Sequence, residues 1–140
     1  MSEKFDICVI GAGPGGYVAA IRAAQNGAKV AIVEKEYFGG TCLNWGCIPT
    51  KTLIASVEVL HKAKTAVDFG IKIDGTVSAD WSAMLQRKGT VVEKLRGGIG
   101  MLLKNAGVTS LQAPHHLPTG RQSMSLQPTE RKRKSPLISS

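Results

Sequence analysis

The glycine run Gly11-Ala12-Gly13-Pro14-Gly15-Gly16 restricts the fold of this chain more than any other feature, because of what stands on either side of it. Ahead of it, Phe5-Asp6-Ile7-Cys8-Val9-Ile10 is short, apolar and rich in β-formers, the pattern of a buried strand. Behind it, Tyr17 to Asn26 follows helical spacing, with Gly27 as a natural stop. Ala28 to Val33 is a second buried strand, ending at Glu34. Strand, glycine turn, helix and strand in that order predict a βαβ unit and a parallel sheet.

Gly11, Gly13 and Gly16 have the Gly-x-Gly-x-x-Gly spacing, and Glu34 closes the second strand 18 residues after Gly16. Glycines also crowd ordinary turns, and a glycine-rich turn with a solvated glutamate is the plain alternative. The strand before, the helix after and the placed acid favour a dinucleotide site. In that reading Gly11 permits the tight turn, Gly13 lets the backbone approach a pyrophosphate, and Gly16 lets helix and strand pack closely. The helix N-terminus attracts phosphate charge, and Glu34 accepts hydrogen bonds from ribose hydroxyls. NAD and FAD share this fingerprint, so it does not choose between them.

The second informative stretch is Gly39-Gly40-Thr41-Cys42-Leu43-Asn44-Trp45-Gly46-Cys47-Ile48-Pro49-Thr50-Lys51. Residues five apart on a helix are rotated by about 140° and their Cα atoms lie roughly 8 Å apart. A disulfide needs about 7 Å or less. Were the two cysteines to pair, Cys42 would therefore lie in the incoming loop, with Gly46 relaxing the backbone and a helix starting close to Cys47. Free N–H groups at a helix start stabilise a thiolate. Pro49 is tolerated in a first turn, and Lys51 falls on the face of Cys47 one turn on. Spacing alone leaves two unrelated buried thiols open. A zinc site wants four ligands, and the nearest histidine, His61, is far down the following helix.

Taken whole, this run resembles the active-site segment of the flavin-dependent pyridine nucleotide-disulfide oxidoreductases, and Leu43, Ile48 and Thr50 bring it nearest to their dihydrolipoyl dehydrogenase branch. A glutathione or mercuric reductase relative is the neighbouring alternative, the glutathione branch favouring lysine where Thr50 stands. The resemblance implies that Cys42 and Cys47 form a redox-active disulfide and that the N-terminal βαβ unit holds FAD. It makes Cys42 the exposed sulfur that exchanges with a dihydrolipoyl substrate, and Cys47 the inner sulfur against the flavin. It places the loop from Lys35 through Gly40 to Thr41 along the flavin's pyrophosphate and ribityl chain, and Lys51 near the reactive edge of the ring. For Thr41 a plain helix cap, and for Lys51 a solvated helix lysine, are the bland readings. NAD as electron acceptor, a dihydrolipoyl domain of a 2-oxoacid dehydrogenase complex as partner, and homodimerisation follow for the complete enzyme.

Past the cysteines, Leu53, Ile54, Val57, Leu60 and Ala63 form an apolar stripe on a helix ending near Gly70, with His61 on its surface. Ile71-Lys72-Ile73 alternates like a short strand before an Asp74-Gly75 turn. Ser78 is placed to cap a helix from about Ala79 to Asn105, whose buried side takes Trp81, Met84, Leu85, Val91, Val92, Leu95, Ile99, Leu102 and Leu103. Gly97, Gly98 and Gly100 weaken that helix by about 1 kcal/mol each, and close packing is the expected reason. Gly107 ends it, and Val108 to Leu111 begins another strand.

Residues 113–140 lack periodicity and aromatic side chains, and a disordered basic tail is expected there, after an α/β domain over residues 1–112. Of the net charge of +8, that tail region accounts for half, since residues 110–140 hold five bases and one acid. The body is only mildly basic, which argues against nucleic acid; the run Arg131 to Lys134 offers nonspecific attraction at most. The start of the chain carries acids and too short an apolar run for a secretion signal, and three cysteines do not make a secreted scaffold. A cytoplasmic protein without a membrane span is expected. The resemblance ends near residue 112, so the expected object is an incomplete Rossmann-like unit with a redox helix, inactive by itself; a nucleotide-binding module without turnover is the alternative.

Overall fold

The computed structural model describes residues 3–113. Three strands, β1 (Ile7–Ile10), β2 (Val30–Glu34) and β3 (Thr109–Gln112), form a wholly parallel sheet in the order β1-β2-β3. Ile7 pairs with Val30 at one side of β2, and Ala31 with Thr109 at the other. Being central, β2 is buried at all five residues, as a continuous apolar run in a parallel sheet requires. β1 is paired on one side alone among the described residues, and its Ile7 and Ile10 are exposed.

Helix α1 (Pro14–Gln25) returns the chain from β1 to β2. It starts three residues earlier than the apolar spacing suggests, because Pro14 at its first position has the helical φ built in and lacks only an N–H that would go unused there. Gly27, at φ +91°, ends the turn after it. Ala20 of α1 packs with Val30 and Ile32 of β2 and with Val92, Ile99 and Leu103 of the long helix α4 (Trp81–Asn105), and Ala12, Val108 and Leu43 complete this core. Between β2 and α4 lie a one-turn helix α2 (Gly40–Asn44), helix α3 (Cys47–Lys64) and a 3₁₀ turn at Ala66–Phe69. No described helix is long and apolar enough to cross a membrane.

Four expectations are corrected. Cys42 lies in α2, not in a loop: Gly39 and Gly40, at φ +94° and +57°, turn the chain into that single helical turn. Ile71 to Ile73 is no strand; it pairs with no strand among the described residues, its Ile71 N–H donating to the Ala66 carbonyl at 3.1 Å, and an exposed Lys72–Asp74 ion pair spans the bend instead. Asp80, not Ser78, caps α4, its Oδ1 accepting from the Ala83 N–H at 2.9 Å. Gly97, Gly98 and Gly100 are not sites of close approach, since a Cβ at any of them would meet nothing within 4 Å.

The buried side of α4 is also narrower than its sequence promises. Val92, Ile99 and Leu103 are buried, while Trp81, Leu85, Leu95 and Leu102 are exposed. Only one face of the helix meets α1 and the sheet. The stripe on α3 is similar, with Ile54 and Val57 exposed in a shallow apolar groove beside Trp81. The expected tail lies, apart from Ala113, outside the described residues.

Candidate functional site

The three strands point their carboxyl ends the same way, and the two sequence motifs meet at that end. Gly11 follows β1 at φ +90° and donates its N–H to the Val33 carbonyl at 2.7 Å, which ties the glycine turn to β2. A Cβ at Gly16 would lie 1.9 Å from the Gly11 carbonyl oxygen and 3.6 Å from Val9 Cγ1. Only glycine permits that contact of helix and turn, as expected of it. Gly13 caps α1, and no side chain bonds to the helix start. Its amide donors thus face outward, the arrangement that attracts an anion.

Glu34, 8 % exposed at the end of β2, is bound up more tightly than a ribose ligand need be. Its Oε2 accepts from the Ala12 N–H at 2.8 Å, and its Oε1 from Lys35 and Glu36 N–H at 2.8 and 3.0 Å. The carboxylate therefore braces the glycine turn against the chain leaving β2. Lys35 is exposed and begins the connection to Gly39. There the Gly39 N–H donates to the Ala12 carbonyl at 2.7 Å, and a Cβ at Gly40 would come within 2.8 Å of Gly13 Cα. The glycine turn and the cysteine loop are in direct backbone contact.

Cys42 and Cys47 are joined by a disulfide, with Cα atoms 4.8 Å apart. They sit on separate helices, Cys42 on α2 and Cys47 at the first position of α3, with Gly46 between them. A Cβ on Gly46 would stand 3.2 Å from the Thr41 carbonyl and 3.5 Å from Cys42 Cα, so glycine lets the two helices approach. Pro49 lies in the first turn of α3, and no side chain caps that helix. Exposure runs opposite to expectation, for Cys47 is exposed and Cys42 half-buried. α2 packs against both α3 and α4, whereas the first residue of α3 faces outward. Thr41 and Lys51 are both exposed, and Thr41 does not cap α2.

Four side chains of the site escaped the sequence reading. Asn44 donates from Nδ2 to the carbonyls of Phe38 and Gly40, at 3.1 and 2.9 Å. Its Oδ1 accepts from Nε and Nη2 of Arg96 on α4, at 3.0 and 2.7 Å. The Arg96 guanidinium lies over the Tyr37 ring at 3.9 Å, and Tyr37 in turn meets Trp45 at 5.9 Å between centroids. Asn44 and Trp45 stand inside the cysteine motif, but Arg96 is 52 residues away and carries no local signal of this role.

Comparison with known proteins agrees with this arrangement. The dihydrolipoyl dehydrogenase of Acholeplasma laidlawii is 55 % identical over 108 residues, covering 77 % of this chain and 32 % of that protein. The enzyme of the same name from Rhizobium etli is 47 % identical over 129 residues, 88 % of this chain and 27 % of its own. That of Bacillus subtilis is 49 % identical over 108 residues, 77 % and 23 % respectively. The chain thus spans about a third or less of the length of these relatives. Residues 5–127 match the family described as pyridine nucleotide-disulphide oxidoreductase, and with a glycine turn and a cysteine pair joined at one end of its sheet, the chain belongs to that family.

Proposed function

We propose that this chain carries the dithiol and flavin-holding part of a dihydrolipoyl dehydrogenase. The observation that carries the reading is the Cys42–Cys47 disulfide at the uncapped start of α3, in backbone contact with the glycine turn through Gly39 and Gly40. The relatives named above bear that activity in their names.

The two sulfurs are chemically unequal. Cys47 stands at a helix N-terminus, whose partial positive charge stabilises a thiolate. A thiolate of the dihydrolipoyl group attacking at Cys42 therefore expels the better leaving group, and Cys47 departs with the electron pair. The second substrate thiol then attacks the mixed disulfide, closing the cyclic lipoyl disulfide and leaving Cys42 and Cys47 as a dithiol. One disulfide is made, one is broken, and two electrons reach the protein. Cys42 is the exchanging sulfur in this scheme; Cys47 is the one left for the cofactor.

The residues fit FAD. Gly11 turns the chain at φ +90°, Gly16 leaves no room for a Cβ beside the Gly11 carbonyl, the start of α1 presents backbone donors, and Gly40 closes on Gly13. Gly11, Gly13, Gly16, Gly40 and Thr41 would hold the pyrophosphate and ribityl chain, with Lys35 at the entrance. Glu34 would hold the ribose while bracing the turn, and Lys51 would supply a cation one helical turn beyond Cys47. When bound, FAD supplies an acceptor for the dithiol's electron pair. The 140 residues are assigned thiol exchange; reduction of NAD, the dihydrolipoyl domain of a 2-oxoacid dehydrogenase complex as partner, and pairing into a homodimer are assigned to the whole protein. A reducing cytoplasm suits a disulfide of this kind.

The visible spectrum of the purified chain, incubated with FAD and then desalted, tests the reading. Retained flavin absorbance with a long-wavelength band on addition of dithiol, abolished in Cys47→Ser, is the expected result. A colourless protein would defeat flavin holding by this chain. Retained flavin with no response to dithiol would leave a nucleotide-binding module without thiol exchange.

A further inference from the structure

Disulfide exchange needs the two thiols to stay together once the bond between them is open. In this chain Cys42 and Cys47 lie on separate helices, so the covalent bond is only one of the links that set their separation. The other is polar. Asn44, two residues after Cys42, holds the end of α2 to the Phe38 and Gly40 carbonyls, and both forks of Arg96 converge on its remaining oxygen. Arg96 is itself held from two directions, by its place on α4 and by the Tyr37 ring.

We propose that Arg96 is a positioning residue for the redox pair: through Asn44 it keeps α2 in place when the disulfide opens, so that Cys42 remains beside Cys47. The proposal rests on the thiol-exchange reading above. Its physical content is pre-organisation. A dithiol whose loop is already ordered loses little freedom on closing, and the effective concentration of one thiol at the other is high. Without the clamp, α2 is tied to α4 only by packing around Leu43, and closure must order the loop afresh. The disulfide is then easier to reduce.

The measurement is the equilibrium of the whole 140-residue chain with glutathione, in which two glutathione thiols reduce the protein disulfide and leave one glutathione disulfide. Quenching with a maleimide and weighing the products by mass spectrometry reads the dithiol fraction. Arg96→Met keeps the side-chain stem and removes the fork. It is expected to move the equilibrium about tenfold toward dithiol, equivalent to about 30 mV. Arg96→Lys, which keeps charge without the fork, should fall between it and the wild type. Arg87→Ala serves as control on the same helix, since Arg87 reaches the Thr52 carbonyl on α3, at 3.5 Å, and not α2 or Asn44; it should leave the equilibrium unmoved.

An unchanged equilibrium in Arg96→Met overturns the proposal, as does an equal shift in Arg87→Ala, which would mark general loosening. Should Arg96→Met not fold, Arg96→Gln takes its place, and an unchanged value there overturns the proposal equally. A wild-type chain that forms no Cys42–Cys47 disulfide at any glutathione ratio sinks the thiol-exchange reading itself, and the clamp with it.

Discussion

The glycine turn and the cysteine loop lie against one another, yet they are built by opposite means. Residues 11–16 are shaped by missing side chains: the turn works because nothing projects from Gly11 or Gly16, and its bonds to the rest of the molecule are mainly backbone ones. Residues 37–47 are shaped by side chains, above all Asn44 of the loop itself and Arg96, which reaches in from α4. The first needs only that the right residues be small. The second needs a particular group from α4 to arrive in the right place. A loop that must hold still for one ligand can be made of backbone; a loop whose central bond opens and closes needs a brace independent of that bond.

The largest effect should come from the first region. Gly16→Ala places a methyl 1.9 Å from a backbone oxygen that has no rotamer to escape into, and a loss of about 3 kcal/mol or more is expected from the overlap. Urea unfolding followed by circular dichroism measures it, and a variant within 1 kcal/mol of wild type would mean that the turn is looser than its geometry. Asn44→Ala comes next, at about 1–2 kcal/mol, because it strands the Arg96 fork in a half-buried place. Amide hydrogen exchange should show the loss concentrated over residues 37–46 rather than in β2. Faster exchange throughout would erase the distinction between the two regions. The smallest effect has the opposite sign. Gly97→Ala meets nothing within 4 Å on α4 and should raise stability by about 0.5–1 kcal/mol in thermal unfolding; a loss would point to a contact at that position.

What could be read in advance divides along the same line. Gly16 is expected to permit a close approach and makes one, against the Gly11 carbonyl five residues back, while Gly11 serves the tight turn through its φ of +90° and a Cβ there would meet nothing within 4 Å. The succession of strand, glycine turn, helix and strand up to Glu34 follows from periodicity. Pro14 belongs by sequence to the glycine turn although it starts α1, and Ile71 to Ile73 alternates without a described strand to pair with. Apolar character alone places Trp81, Leu85, Leu95 and Leu102 on a buried side, whereas burial depends on which neighbours exist to cover them. Glu34 was seen as a ligand and not as a brace, because three of its partners are backbone amides, which a sequence does not distinguish. Arg96 was invisible for the simplest reason: its partner is 52 residues away.

The side of β1 that no described strand covers has a practical consequence for anyone preparing this chain. A row of parallel-strand donors and acceptors, flanked by exposed Ile7 and Ile10 and without a lysine, proline or bulge among its four residues to blunt it, is a template on which another extended segment can add. Self-association through that edge should therefore grow with protein concentration.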